Sequence, residues 1–297
     1  MDFADPKSNI AFKKIFGNEN KKEILISFLN AVLDFKGEKE IKDITILDPY
    51  QAPKIEGLKE TILDVRAVDR RGISFIVEMQ IKKQPYFDKR VLYYTSRAYA
   101  AQIEKGDDYP KLNQVIFIGI LDFEMFEGED YLTRHLILNK KTLKQEIKDL
   151  ELNFIELPKF TKKEDELKTV VGKWIYFIKN AKNLKVIPET LKTQKEIVEA
   201  FEIAKTHTWT KKELEIYEYW QIWETGDRLA NELALKEGFE EGKKQGREQA
   251  VKEIYKQGVK DTARKMLKER VPLDIIAKCT GLTKKEILVL EEKVKIK

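Results

Sequence analysis

Asp64 and Glu78 each stand inside an apolar run, Ile62-Leu63-Asp64-Val65 and Ile76-Val77-Glu78-Met79. A lone buried carboxylate costs several kcal/mol unless something pairs with it. Residues 61–69 and 73–81 are rich in β-branched side chains and flank Arg70-Arg71-Gly72, which predicts two strands and a tight turn. In the matching register Asp64 lies opposite Glu78, Ile62 opposite Gln80 and Arg66 opposite Ile76. Gln80 then shares the face of Glu78, while Leu63, Val65, Ala67, Phe75, Val77 and Met79 project from the other face into a core. Like charges opposed in a sheet repel. A divalent cation between them removes much of that cost and can activate water and neutralise a phosphodiester. The alternative is a half-exposed hairpin whose acids pair with Arg66, Lys82 or Lys83. A register shift of one residue separates the two acids.

The elements around this pair read as an α/β core. Residues 20–34 carry Ile24, Leu25, Phe28, Leu29 and Val32 at helical spacing, with Asn20 as N-cap and Glu23 completing a capping box. A short strand at 44–47 follows. Beyond the hairpin, residues 88–105 form a helix ended by Gly106, and 115–121 (VIFIGIL) form a strand buried on both faces. The order αβββαβ makes the last strand parallel to an earlier one. Segments 132–138 and 152–157 extend the sheet.

From about residue 163 the pattern turns helical. Trp174, Ile175 and Ile178 mark a helix over 164–180, and Pro188 at N1 opens another that runs to about 205. Residues 211–256 are charged and helical, with Gly238, Gly242 and Gly246 recurring every fourth position. Each costs about 1 kcal/mol in a helix relative to Ala. Either they admit a close neighbour, such as a second copy of the chain, or the segment is a charged linker. Residues 259–294 read as a helical hairpin, with helices at 273–279 and 283–292 and a Thr283/Glu286 capping box. Such a hairpin either packs or reads DNA as a helix-turn-helix. The expected domains are 1–160, a helical extension 161–224, and 225–297.

Composition narrows the chemistry. The chain has 297 residues, 42% hydrophobic and 36% charged, with 56 basic and 51 acidic residues and a net charge of +5. That balance permits nucleic-acid binding without requiring it. Cys279 is the single cysteine and His135 and His207 the only histidines. An intrachain disulfide, a multi-cysteine zinc site and a histidine metal site are therefore excluded, so any metal is expected to be a hard, oxygen-ligated ion. The N-terminus lacks the apolar segment of a signal peptide, and no apolar run is long enough for a membrane span. A cytoplasmic protein is expected.

Several stretches together resemble the Rpn family of recombination-promoting nucleases, also labelled transposases, of the PD-(D/E)XK nuclease superfamily. They are SNIAFKKIFG, SFLNAVL, LDVRAVD, IVEMQ, KRVLYYTSRAYAAQIEKGDDYPKLNQVIFIGIL, EGFEEGKKQGREQ and TGLTKKEI. The resemblance spans nearly the whole chain, and its specificity lies in order and spacing. It implies Mg²⁺-dependent cleavage of DNA, with Asp64 and Glu78 as metal ligands and the Met79 carbonyl as a third. Gln80 stands where that superfamily's motif has lysine, and an amide carries no charge. Lys82, two further along the same face, is a candidate for the missing cation. Asn9 stands where many relatives have an acid.

Helix 88–105 presents Lys89, Arg90, Tyr93, Tyr94, Arg97 and Tyr99. Arg90 and Arg97, seven apart on one face, are candidates for phosphate contacts, and Tyr93 for stacking on a base. Tyr94 and Tyr99 fit core packing at least as well. These readings converge on a DNA endonuclease in which Asp64, Glu78, Gln80 and Lys82 are catalytic. The rivals are a DNA-binding protein that does not cut, and a helical assembly module that forms homo-oligomers through the C-terminal helices.

Overall fold

The computed structural model describes residues 2–51 and 61–295. Its first helix, α1 (Asn9–Phe16), went unforeseen. Ser8 caps it by accepting the Ala11 N–H, and Ala11, Phe12, Ile15 and Phe16 are buried. Asn9 and Lys13, one turn apart, share another side. Helix α2 (Lys22–Leu33) buries the expected Ile24, Leu25, Phe28, Leu29 and Val32. Its entry differs: Asn18, not Asn20, is the capping residue, and it leads a short 3₁₀ turn at Glu19–Lys21.

Strands follow as β1 (Ile44–Leu47), β2 (Tyr50–Gln51), β3 (Thr61–Ile62), β4 (Val65–Asp69) and β5 (Ser74–Gln80). Helix α3 (Phe87–Ala100) then crosses to β6 (Val115–Leu121), and β7 (Leu132–Leu136) and β8 (Leu150–Glu156) extend the sheet as expected. The six-stranded order is β1-β4-β5-β6-β8-β7; β5, β6 and β8 run parallel and the remaining pairs antiparallel. The αβββαβ core is thus α2, β1, β4, β5, α3 and β6. Helix α3 ends at Ala100, short of residue 105, and Gln102 then exchanges two hydrogen bonds with the Asn113 backbone.

The hairpin register is the expected one, with Val65 opposite Val77 and Arg66 opposite Ile76. The strand expected over 61–69 is broken, however. Thr61–Ile62 leave to pair with Tyr50–Gln51, so Ile62 faces Tyr50 rather than Gln80. Leu63 donates its N–H to the Pro49 carbonyl, and pairing with β5 resumes only at Val65. The break also resets the alternation. Val65, Ala67, Phe75, Val77 and Met79 face a core, as expected, in which they pack with α1 and α2, but Leu63 packs on the opposite face with Ile76, Phe87, Val91 and Phe117.

Helix α4 (Val170–Asn180) drives Trp174, Phe177 and Ile178 into the same core as α1 and α2. The core therefore runs without interruption across residue 160. Pro188 is an N-cap rather than N1, and its helix is two: α5 (Glu189–Lys192) and α6 (Lys195–Ala204). Helix α7 (Lys211–Lys268) continues well beyond residue 256. A first compact unit ends at Trp220 within it.

The second unit holds the rest of α7 with α8 (Leu273–Thr280) and α9 (Lys284–Lys295). Ala263, Ile276, Ile287 and Leu290 are its buried residues, so the end of α7 joins the expected hairpin to make a three-helix cluster. The Thr283/Glu286 capping box forms. A Cβ placed on Gly238, Gly242 or Gly246 meets nothing within 4 Å, so no neighbour among the described residues explains these glycines. No helix among the described residues is long and apolar enough to cross a membrane.

Candidate functional site

Asp64 lies in the break between β3 and β4, where the backbone no longer pairs with β5. Its side chain takes over that pairing: Oδ2 accepts the Met79 N–H at 2.9 Å. A strand residue sends its N–H and C=O to the same edge, so the Met79 carbonyl leaves β5 beside Asp64. The other oxygen, Oδ1, accepts from Asn9 Nδ2 at 3.2 Å and lies 3.8 Å from Lys13 Nζ. Helix α1 thus supplies both neighbours from the sheet face opposite α3.

Glu78 stands near the carboxyl end of β5, where parallel strands of α/β sheets commonly bind ligands. It is 7% exposed, and its Oε2 is buried without a hydrogen-bond partner among the described residues. Burial pushes its carboxyl up to about 7; Arg90 opposes the rise, Asp64 adds to it and Lys13 opposes it. Asp64 is also raised, by burial first, against the Met79 hydrogen bond and the charges of Lys13 and Arg90. The Asp64 charge reaches Glu78, although Asp64 lies in the break and outside the paired register of β4 and β5.

Gln80 ends β5 with its amide engaged at both ends. Nε2 donates to the Lys82 carbonyl at 2.9 Å, and Oε1 accepts from Arg90 at 2.6 Å. Arg90 also donates to Gln84 Oε1 and lies over the Phe87 and Tyr94 rings, 4.7 and 5.8 Å from their centroids. Gln80 thereby holds a cation beside the acids instead of presenting a free amide. Lys82 lies beyond the end of β5, which stops at Gln80.

Two of the three cations offered as pairing partners turn elsewhere. Arg66 donates to the Asp48 carbonyl and Lys83 to the Glu124 carbonyl. Among the described residues Lys13 and Arg90 act on both acids. Arg97, two turns beyond Arg90, acts on Arg66. Tyr93 is exposed on α3. Tyr94 is buried in the α3 core, and its hydroxyl is raised by burial and then by Glu78. Tyr99 bonds to Asp149 at 2.7 Å.

Sequence reasoning missed Lys13 and the contact of Asn9. Their signal was the Ser8 cap followed by apolar residues at helical spacing, which places Asn9 and Lys13 together. Among the described residues no group of three or more His, Cys, Asp or Glu could hold a metal. Asp64, Glu78 and the Met79 carbonyl would offer such an ion oxygen donors alone, which suits a hard divalent cation. The orphaned Glu78 oxygen fits such an ion.

A family model described as PD-(D/E)XK nuclease family transposase matches residues 6–221. No curated protein and no solved structure matches the chain.

Proposed function

Because the chain belongs to the PD-(D/E)XK nuclease family transposases, with the nuclease- and transposase-associated role that family carries, we propose that it is a metal-dependent DNA endonuclease. Phosphodiester hydrolysis of this kind serves recombination or a mobile element. The observation that carries the reading is the Glu78 carboxylate, buried and unpartnered at Oε2 within the field of Asp64.

Asp64, Glu78 and the Met79 carbonyl would hold a divalent cation, Mg²⁺ or another hard ion. Such an ion supplies Lewis-acid stabilisation of the phosphodiester and makes water more acidic. The chain's own groups do the rest. The Met79 N–H and Asn9 fix the Asp64 carboxylate. Lys13, from α1, provides the charge that the superfamily's lysine provides at the position of Gln80. Gln80 and Gln84 steady Arg90, from α3, as a second cation for phosphate oxygens. Tyr93, Arg97 and Lys82 extend the contact along the DNA strand, where phosphate contacts position the duplex without reading it.

Plasmid nicking tests this. Wild-type protein cuts with Mg²⁺ and not with EDTA, and Asp64→Ala abolishes cutting while leaving the circular dichroism spectrum intact. Lys13→Met lowers the rate on the order of tenfold to a hundredfold, and Lys13→Arg retains most of it. Equal cutting by wild type and Asp64→Ala removes the site assignment. Salt-sensitive binding without any cutting identifies instead a DNA-binding protein, the role that the fully engaged Gln80 amide would favour.

A further inference from the structure

Among the described residues, helix α7 carries two exposed apolar groups on one face. Leu229 and Leu233 are 56% and 57% exposed, and Val251, Ile254 and Tyr255 are 67%, 72% and 75% exposed. At 3.6 residues per turn these side chains fall on one side of the helix. Between the two apolar groups the same side carries Glu237 and Glu240, then Lys244 and Arg247. Among the described residues none of these four makes an ion pair within the chain. Gly226 and Gly258 stand at the two ends of the face, with open space around each.

The arrangement is complementary to itself in reverse. Turned end over end about Gly242, the face meets its own opposite. Gly226 meets Gly258, Leu229 meets Tyr255, Ala230 meets Ile254 and Leu233 meets Val251. Glu237 meets Arg247 and Glu240 meets Lys244. A parallel pair would set Glu237 against Glu237 and Arg247 against Arg247, and like charges across a helix interface select against that orientation. A two-fold interface uses one patch on both subunits, so it needs this reversed match.

We propose that two copies of the chain pair antiparallel through residues 226–258 of α7, centred on Gly242. The apolar residues form the buried seam at both ends, and the charged centre sets orientation and register. The paired stretch is about 50 Å long at 1.5 Å per residue. Gly238, Gly242 and Gly246 project away from the seam.

The test is the molar mass of the full-length protein by light scattering and sedimentation, with charge variants. Wild type runs as a dimer at micromolar concentration. Glu237→Arg with Glu240→Lys makes the centre uniformly positive and raises the dissociation constant at least about tenfold. Adding Lys244→Glu and Arg247→Glu to that variant restores the antiparallel match and the dimer. Restoration also rules out misfolding as the cause of the loss. A monomeric wild type overturns the proposal. So does a dimer unchanged by the first pair of substitutions, or one the second pair fails to restore.

Discussion

Burial lifts the Glu78 carboxyl to about 7 from an ordinary 4.5, and this makes stability depend on pH. Between those values the unfolded chain releases a proton that the fold retains. The contribution is fully present below about 4.5 and is lost as pH rises through about 7. A shift of this size is worth about 3 kcal/mol. Asp64, also raised by burial, adds a slope of the same sign. Without metal, the melting temperature should therefore fall between pH 5 and pH 8, and Glu78→Gln should flatten much of that fall. Mg²⁺ should raise the melting temperature of wild type at pH 8, where the site is ionised, and EDTA should reverse it. Glu78→Gln should lose that response. A wild type whose stability rises over this interval relative to Glu78→Gln would show that Glu78 is not a strained acid.

At the scale of elements, the interruption between β3 and β4 is what makes the site. A continuous strand would have spent the Met79 N–H on a backbone carbonyl; the break gives it to Asp64 instead. The neighbouring strand β6 matters for a different reason. Gly119 pairs with Glu78, and a Cβ there would stand 3.0 Å from Phe117 and 3.1 Å from Phe154. Those rings pack 5.9 Å apart and close the sheet face beside Glu78. Gly119→Val should cost about 1–3 kcal/mol by overpacking. Urea unfolding should show a lower midpoint with an unchanged slope, and an unaltered midpoint would mean the rings move aside freely.

Over the whole first unit, distant parts of the chain close on one core. Trp174 of α4 lies edge-on to Phe28 of α2 and donates to Ser27. Tyr217, in the first turns of α7, accepts the buried Asp5 N–H at 2.7 Å. Residues 212 positions apart are thereby tied, and Trp209 and Trp220 pack on the same ring. Tyr217→Phe keeps the ring and strands the donor, which should cost about 1–3 kcal/mol. A thermal shift indistinguishable from wild type would show that Asp5 finds another acceptor.

Periodicity and turn chemistry determined much of this protein directly. The hairpin register followed from Arg70-Arg71-Gly72 and the alternation of Val65–Asp69 against Ser74–Gln80. The buried strand at Val115–Leu121 followed from its unbroken apolar run. What tertiary structure decided were the contacts that local pattern does not encode. The break at Leu63–Asp64 depends on Pro49 and Tyr50 competing for the strand. Lys13 reaches Asp64 only because α1 packs against the sheet, and Gln80 turns to Arg90 only because α3 lies across it. Strand alternation is set by neighbours in the chain, whereas the partner of a buried charge is set by whichever element the core draws alongside.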